Sequence, residues 1–200
     1  MFTGLIEAVG HVAQVTPTAS SFRIRIRTGL AGEVQVGDSL AVSGVCLTVT
    51  AAADGAVDAD IGPETARVTT LGRLRAEHPV NLERSMAADG RFGGHFVQGH
   101  VDGVGLVEQI REDGEAHWLT VSFDTSLAPY LIDKGSIAVD GVSLTVAALR
   151  DTAFDVMLVP HTWEHTTFRT LGAGDHVNLE CDMVGKYVVR HLERLLERAR

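Results

Sequence analysis

The stretch FRIRIR, Phe22–Arg27, alternates apolar and charged residues with a period of two, the pattern of a strand with one face in a core and one in water. WLTVSF, Trp118–Phe123, is its counterpart in the second half of the chain. SLAVSGVCLTVTAA, from Ser39, predicts two β-rich segments broken at Ser43-Gly44, and VNLER, Val80–Arg84, predicts a short one. Gly37-Asp38, Asp54-Gly55 and Asp113-Gly114 supply turn chemistry between such segments. PETARVTTLG holds a short helix with Pro63 at its start. After Gly185 the period changes: Val188, Leu192, Leu195 and Ala199 form a helical seam flanked by Arg and Glu, which suits a short oligomeric stalk better than a cap on its own domain.

The pattern occurs twice. Setting Leu30–Met86 on Leu127–Met183 at a fixed offset of 97 makes 25 of 57 positions identical without a gap. GVCLTV (Gly44–Val49) thereby meets GVSLTV (Gly141–Val146), and the VNLE run at Val80 meets the one at Val177. Upstream, GLIEAVGHV from Gly4 meets GHVDGVGLV from Gly99 at an offset of 95. Two copies mean a duplicated domain rather than a solenoid. Roughly six short strands per copy predict a small antiparallel barrel each. The expected boundaries are 1–95 for the first barrel, 96–185 for the second and 186–200 for the helix.

Composition narrows the functions. The net charge is −9 with the acids scattered, whereas a nucleic-acid-binding domain carries a basic patch. The longest uncharged stretch, Ser39–Ala53, falls short of the ~20 apolar residues of a membrane helix. Met1-Phe2-Thr3 has no basic region of a secretory signal. Cys46 and Cys181 form no disulfide framework and are expected as free thiols of a cytoplasmic protein.

Chemistry is expected where matched positions differ. Leu5 faces His100, Ser43 faces Asp140, Cys46 faces Ser143, Glu64 faces His161, and Ser85 faces Asp182. The hydroxyls Thr48, Thr65 and Thr69 instead recur as Thr145, Thr162 and Thr166. Recurring hydroxyls suit recognition of one polyhydroxylated ligand twice, and unlike acids, bases and nucleophiles suit a different treatment of each copy.

MFTGLIE at the N-terminus, GVCLTV, GGHFVQGHVDG (Gly93–Gly103), DGVSLTV, PET with TTLG, and VNLE followed by DMVGKYV together resemble the riboflavin synthase family over essentially the whole chain. The resemblance implies two six-stranded Greek-key barrels and a C-terminal helix packed in a homotrimer. It implies dismutation of two molecules of 6,7-dimethyl-8-ribityllumazine into riboflavin and 5-amino-6-(D-ribitylamino)uracil by four-carbon transfer, with no metal or other cofactor. It names lumazine synthase as a candidate partner. His100, Cys46, Ser143, Thr145, Asp140 and Asp182 are the catalytic candidates it implies, His100 as proton carrier. Whether Cys46 or Ser143 adds to the ring or positions water stays open.

Substrate contacts are implied around the first nucleophile at Leu47 and Thr48, with Asp60, Ile61, Gly62, Pro63, Glu64 and Thr65 on the strand and turn that follow. Gly99 and Val101 flank His100. The second set comprises Gly4, Leu5, Ile6, Lys134, Leu144 and Thr145, with Met157, Leu158, Val159, Pro160, His161 and Thr162. In the trimer, Cys46 and Thr48 are expected to face a His100-bearing pocket across a subunit boundary. His95, in the GGH motif, is expected to be structural. TTFRTLG replaces the usual TTLG, and His161 with Trp163 departs from the family pattern. The alternative is a lumazine-protein-like binder that holds lumazine or flavin without turning it over.

Overall fold

The computed structural model describes residues 1–19 and 21–198. Alternation carries through to six strands in each copy. The first has Ala8–Pro17 (β1), Phe22–Arg27 (β2), Ser39–Val42 (β3), Val45–Ala53 (β4), Ala56–Ile61 (β5) and Pro79–Arg84 (β6). Gly103–Asp113 (β7), Ala116–Ser122 (β8), Ser136–Val139 (β9), Val142–Leu149 (β10), Ala153–Leu158 (β11) and His176–Cys181 (β12) form the second. The barrels close in equivalent antiparallel orders, β1-β2-β5-β4-β3-β6 and β7-β8-β11-β10-β9-β12.

In β2, Ile24 and Ile26 point inward and are fully buried, while Arg23, Arg25 and Arg27 point outward to Asp60, Asp58 and Glu77. The inward side chains supply the folding energy; exposed ion pairs such as Arg23–Asp60 contribute about 0–1 kcal/mol each. Register shifts between Val12 and Gln14 and between Val49 and Ala51 recur at Val107/Gln109 and Val146/Ala148. Such bulges bend a strand and let a short sheet close on itself. Pro63–Val68 (α1) and Pro160–His165 (α2) each begin on a proline, and each runs into a 3-10 turn whose N-cap threonine, Thr69 or Thr166, accepts from the main chain two residues on.

The barrels meet across a pseudo-twofold axis. Gly44 and Gly141 touch there, both at positive φ, and a Cβ on either would come within 2.7 Å of the other's main-chain nitrogen. Asn81 Nδ2 donates to Asp140 O (3.0 Å) and Asn178 Nδ2 to Ser43 O (2.8 Å), a reciprocal pair written by the two VNLE motifs. Met183–Arg198 (α3) follows β12 directly and is under way before Gly185. Lys186 Nζ lies 2.6 Å from Asp102 and ties the helix base to the second barrel. Val188, Leu192 and Leu195 are about half exposed, and Ala199 lies outside the described residues.

Candidate functional site

Period-two alternation aims the repeated motif. On β4, Val45, Leu47 and Val49 point inward, leaving half-buried Cys46 and exposed Thr48 on the outer face. Ser143 and Thr145 occupy the same places on β10, outside buried Leu144. Leu47, Leu144, Ile61 and Leu158 are therefore core residues, with their side chains turned away from the outer face.

Each motif is covered by a segment of the other copy. Cys46 N donates to Gly99 O (2.9 Å) and Ser143 N to Gly4 O (2.8 Å). Val101 packs against the first barrel's core and Ile6 against the second's. Gly99 and Gly4 have φ of +79° and +78°, and a Cβ on either would stand 2.6 Å from the Cβ of Cys46 or Ser143. The segments are held by buried carboxylates of the VNLE motifs. Glu180 accepts from the N–H groups of Gln98, Gly99 and His100 at 2.7, 2.9 and 3.0 Å. Glu83 accepts from Thr3 N, Thr3 Oγ1 and Gly4 N at 2.7, 2.8 and 3.0 Å. Burial pushes both glutamates above the ordinary range, against the pull of these donors. The exchange corrects one expectation: the His100 segment flanks Cys46 within a single chain, not across a subunit boundary.

The second pocket contains a pair that the repeat comparison missed. His95 Nδ1 lies 2.7 Å from Ser143 Oγ. Burial holds the imidazole below the ordinary histidine range, partly opposed by the negative charge of Asp182. A neutral imidazole bonded to a hydroxyl can relay a proton to or from it. His95 Nε2 is buried without a partner, so the ring has a further bond to make. His95, expected to be structural, is thus in direct contact with Ser143, one of the nucleophile candidates. The aligned upstream blocks start at Gly4 and Gly99, so the comparison of copies did not reach it. Its signal was the GGH spacing, five residues before His100.

The remaining candidates divide. Exposed His100 lies at the first pocket, where its N–H holds the Glu180 carboxylate. Asp60 is engaged by Arg23 at 2.6 and 2.9 Å, and Glu64 by Arg67. His161 stacks on His165, with ring centroids 4.1 Å apart, and Trp163 stacks on His117 at 3.8 Å. Met157 and Val159 are exposed, on either side of buried Leu158. Lys134 (φ +62°) sends Nζ to Ala147 O at 2.8 Å. Asp140 is buried at the barrel–barrel axis, accepting from Asn178 N at 2.8 Å, and is not bonded to the His95–Ser143 pair. Thr69 and Thr166 are buried caps rather than free ligand hydroxyls. Cys181 is buried with its thiol pushed up to about 12, whereas Cys46 stands on the outer face. Among the described residues, no group of three His, Cys, Asp or Glu is arranged to hold a metal ion.

Comparison with known proteins places these features in a family. The lumazine binding domain model matches residues 3–85 and again 98–182. Riboflavin synthase of Bacillus amyloliquefaciens is 44% identical over 195 residues, covering 97% of this chain and 91% of that protein. Riboflavin synthase of Actinobacillus pleuropneumoniae is 45% identical, covering 96% and 90%. Among solved structures, LumP complexed with riboflavin superposes with a TM-score of 0.85 at 23% identity, covering 90% of this chain and 99% of LumP. At that identity the likeness is one of fold.

Proposed function

The chain belongs to the riboflavin synthase family, with two lumazine binding domains in tandem, and from that premise we propose that it is a transferase that dismutates 6,7-dimethyl-8-ribityllumazine. Two molecules yield riboflavin and 5-amino-6-(D-ribitylamino)uracil by passage of a four-carbon unit. The observation that supports this reading is the exchange of covering segments, which sets two outward-facing motifs of matched build, one bearing Cys46 and one Ser143 with His95, on a single chain.

A dismutation must treat two identical molecules differently, so the difference has to come from their surroundings. One pocket offers the Cys46 thiol beside the His100 segment; the other offers Ser143 bonded to His95, with Asp182 nearby. Thr48 and Thr65, with their counterparts Thr145 and Thr162, are the hydroxyl partners for the two ribityl chains. Main-chain groups of Asp60–Gly62 and Met157–Val159 line the edges of the flat rings. The reaction opens with loss of a proton from an acidic ring methyl, and neutral His95, acting through Ser143, is placed to carry it. His100 serves the other pocket.

Production of riboflavin also requires the two ring systems to meet face to face. The half-exposed Val188, Leu192 and Leu195 on α3 support a cytoplasmic homotrimer in which the first barrel of one subunit meets the second of its neighbour. Lumazine synthase is the candidate partner that would hand over substrate. A binder without turnover shares the fold, as LumP does, but the synthases are the far more similar sequences at 44–45% identity, against 23% for LumP. Incubation of the pure protein with 6,7-dimethyl-8-ribityllumazine and no other reagent should generate riboflavin fluorescence. Bound but unconverted lumazine would overturn the proposal.

A further inference from the structure

Beside the axis where Gly44 meets Gly141 lies a cleft of about 470 Å³ that the reaction described above does not use. Its floor is made of two matched pairs, Ser43 with Asp140 and Thr70 with Thr167. The cross-barrel bonds of Asn81 and Asn178 fix this floor, and the same two side chains accept from Thr167 N and Thr70 N at 2.8 Å each. Ser43-Gly44 and Asp140-Gly141 are the central residues of two-residue hairpin turns, which set the positive φ of Ser43 and Asp140, 43° and 45°, and hold both residues at the cleft. Thr167 is 5% exposed, and its hydroxyl oxygen is buried without a hydrogen-bond partner. Thr167 lines the cleft through its other atoms.

The rim has lost the symmetry that the floor keeps. The first copy contributes Arg73, Arg75 and His78 where the second has Thr170, Gly172 and Asp175. Among the described residues neither arginine is in an ion pair; Arg75 Nε meets only His78 Nε2, at 3.1 Å. Asp175, also on the lining, accepts from Gly172 N at 2.7 Å. One end of the cleft is therefore cationic, and the floor is a set of hydroxyls around a single carboxyl.

We propose that this cleft is a second ligand site, for a small phosphorylated polyol whose phosphate lies on Arg73 and Arg75 and whose hydroxyls lie on the floor. Guanidinium groups match phosphate oxygens with paired N–H donors. Burial pushes the Asp140 carboxyl up to about 7, so near neutral pH it is protonated in a large fraction of molecules and can donate to a hydroxyl. The volume falls within the range of small-molecule pockets, about 300–1,000 Å³.

Calorimetric titration of the full chain with ribitol 5-phosphate tests this. One molecule should bind per chain, and the Arg73→Ser/Arg75→Ser variant should weaken binding about tenfold or more. Thr48→Val, in the lumazine pocket, should leave it unchanged. No binding at about 10 mM ester, a weaker affinity than a pocket of this kind should show, would overturn the proposal. So would arginine variants that bind normally, or loss of binding in Thr48→Val. Inorganic phosphate binding as tightly as the ester would overturn the role of the floor.

Discussion

Cys46 and Ser143 occupy matched positions on matched strands, yet only the serine has a histidine within hydrogen-bond reach. The 2.7 Å contact with His95 makes Ser143 Oγ and the imidazole one functional unit. His95→Gln and Ser143→Ala should each lower kcat by about 10²-fold or more with a smaller change in KM, and the double variant should be little worse than the poorer single. Multiplicative losses in steady-state assays would separate the two residues. Asp140 affects stability instead. Its carboxyl is raised from 3.8 to about 7 by burial, so the folded state favours the proton. That contribution is full below pH 4, declines as pH rises, and is gone above about 7. Asp140→Asn keeps an acceptor for Asn178 N and tolerates the positive φ. It should flatten this decline and stabilise the protein at pH 8 by on the order of 3 kcal/mol, as read from urea unfolding at a series of pH values.

The decisive elements are two short extended segments, residues 3–6 and 98–101, which precede β1 and β7 and lie on the opposite barrel. Each reaches its position because a glycine at positive φ allows main chain to lie against Cys46 or Ser143, and because a buried glutamate collects the N–H groups of the bend. Gly99→Ala and Gly4→Ala should each cost about 1–3 kcal/mol through strain and the Cβ clash. Their local effects should differ. Gly99→Ala should change the rate at which a maleimide labels Cys46, and Gly4→Ala should not, Cys181 being buried in both. Equal labelling of the two variants would mean that the segments act only through global stability.

For the whole molecule, the question is what covers α3. None of its described side chains is buried, and Tyr187, Val188, Leu192 and Leu196 are all more than half exposed. Such a stripe, on a helix fixed to its barrel at Lys186, is the feature behind the proposed homotrimer. Removal of residues 187–200 should give monomers by light scattering that still bind lumazine but turn it over at least about tenfold more slowly, since the paired rings are no longer held together. An unaltered, fully active trimer after truncation would show the helix to be a cap on its own domain.

The sequence by itself determined the duplication, the strand pattern and the family, because period-two alternation and an ungapped offset of 97 are local properties of the chain. It also singled out Cys46 and Ser143 as candidates, since the two copies differ there inside a repeated motif. It assigned His100 to the second copy, and by chain order that is correct. Only the tertiary structure decided that His100 belongs to the first barrel's pocket, since carrying residues 98–101 across the axis depends on Glu180, some 80 positions away. His95 was hidden for a related reason: its partner Ser143 lies 48 residues on, and it stands upstream of the aligned blocks. Ser43 and Asp140 read in sequence as one more unlike pair among five. Their positive φ belongs to the hairpin turn of each copy, but their common floor appears only when two barrels pack Gly44 on Gly141, a contact that neither copy could make alone.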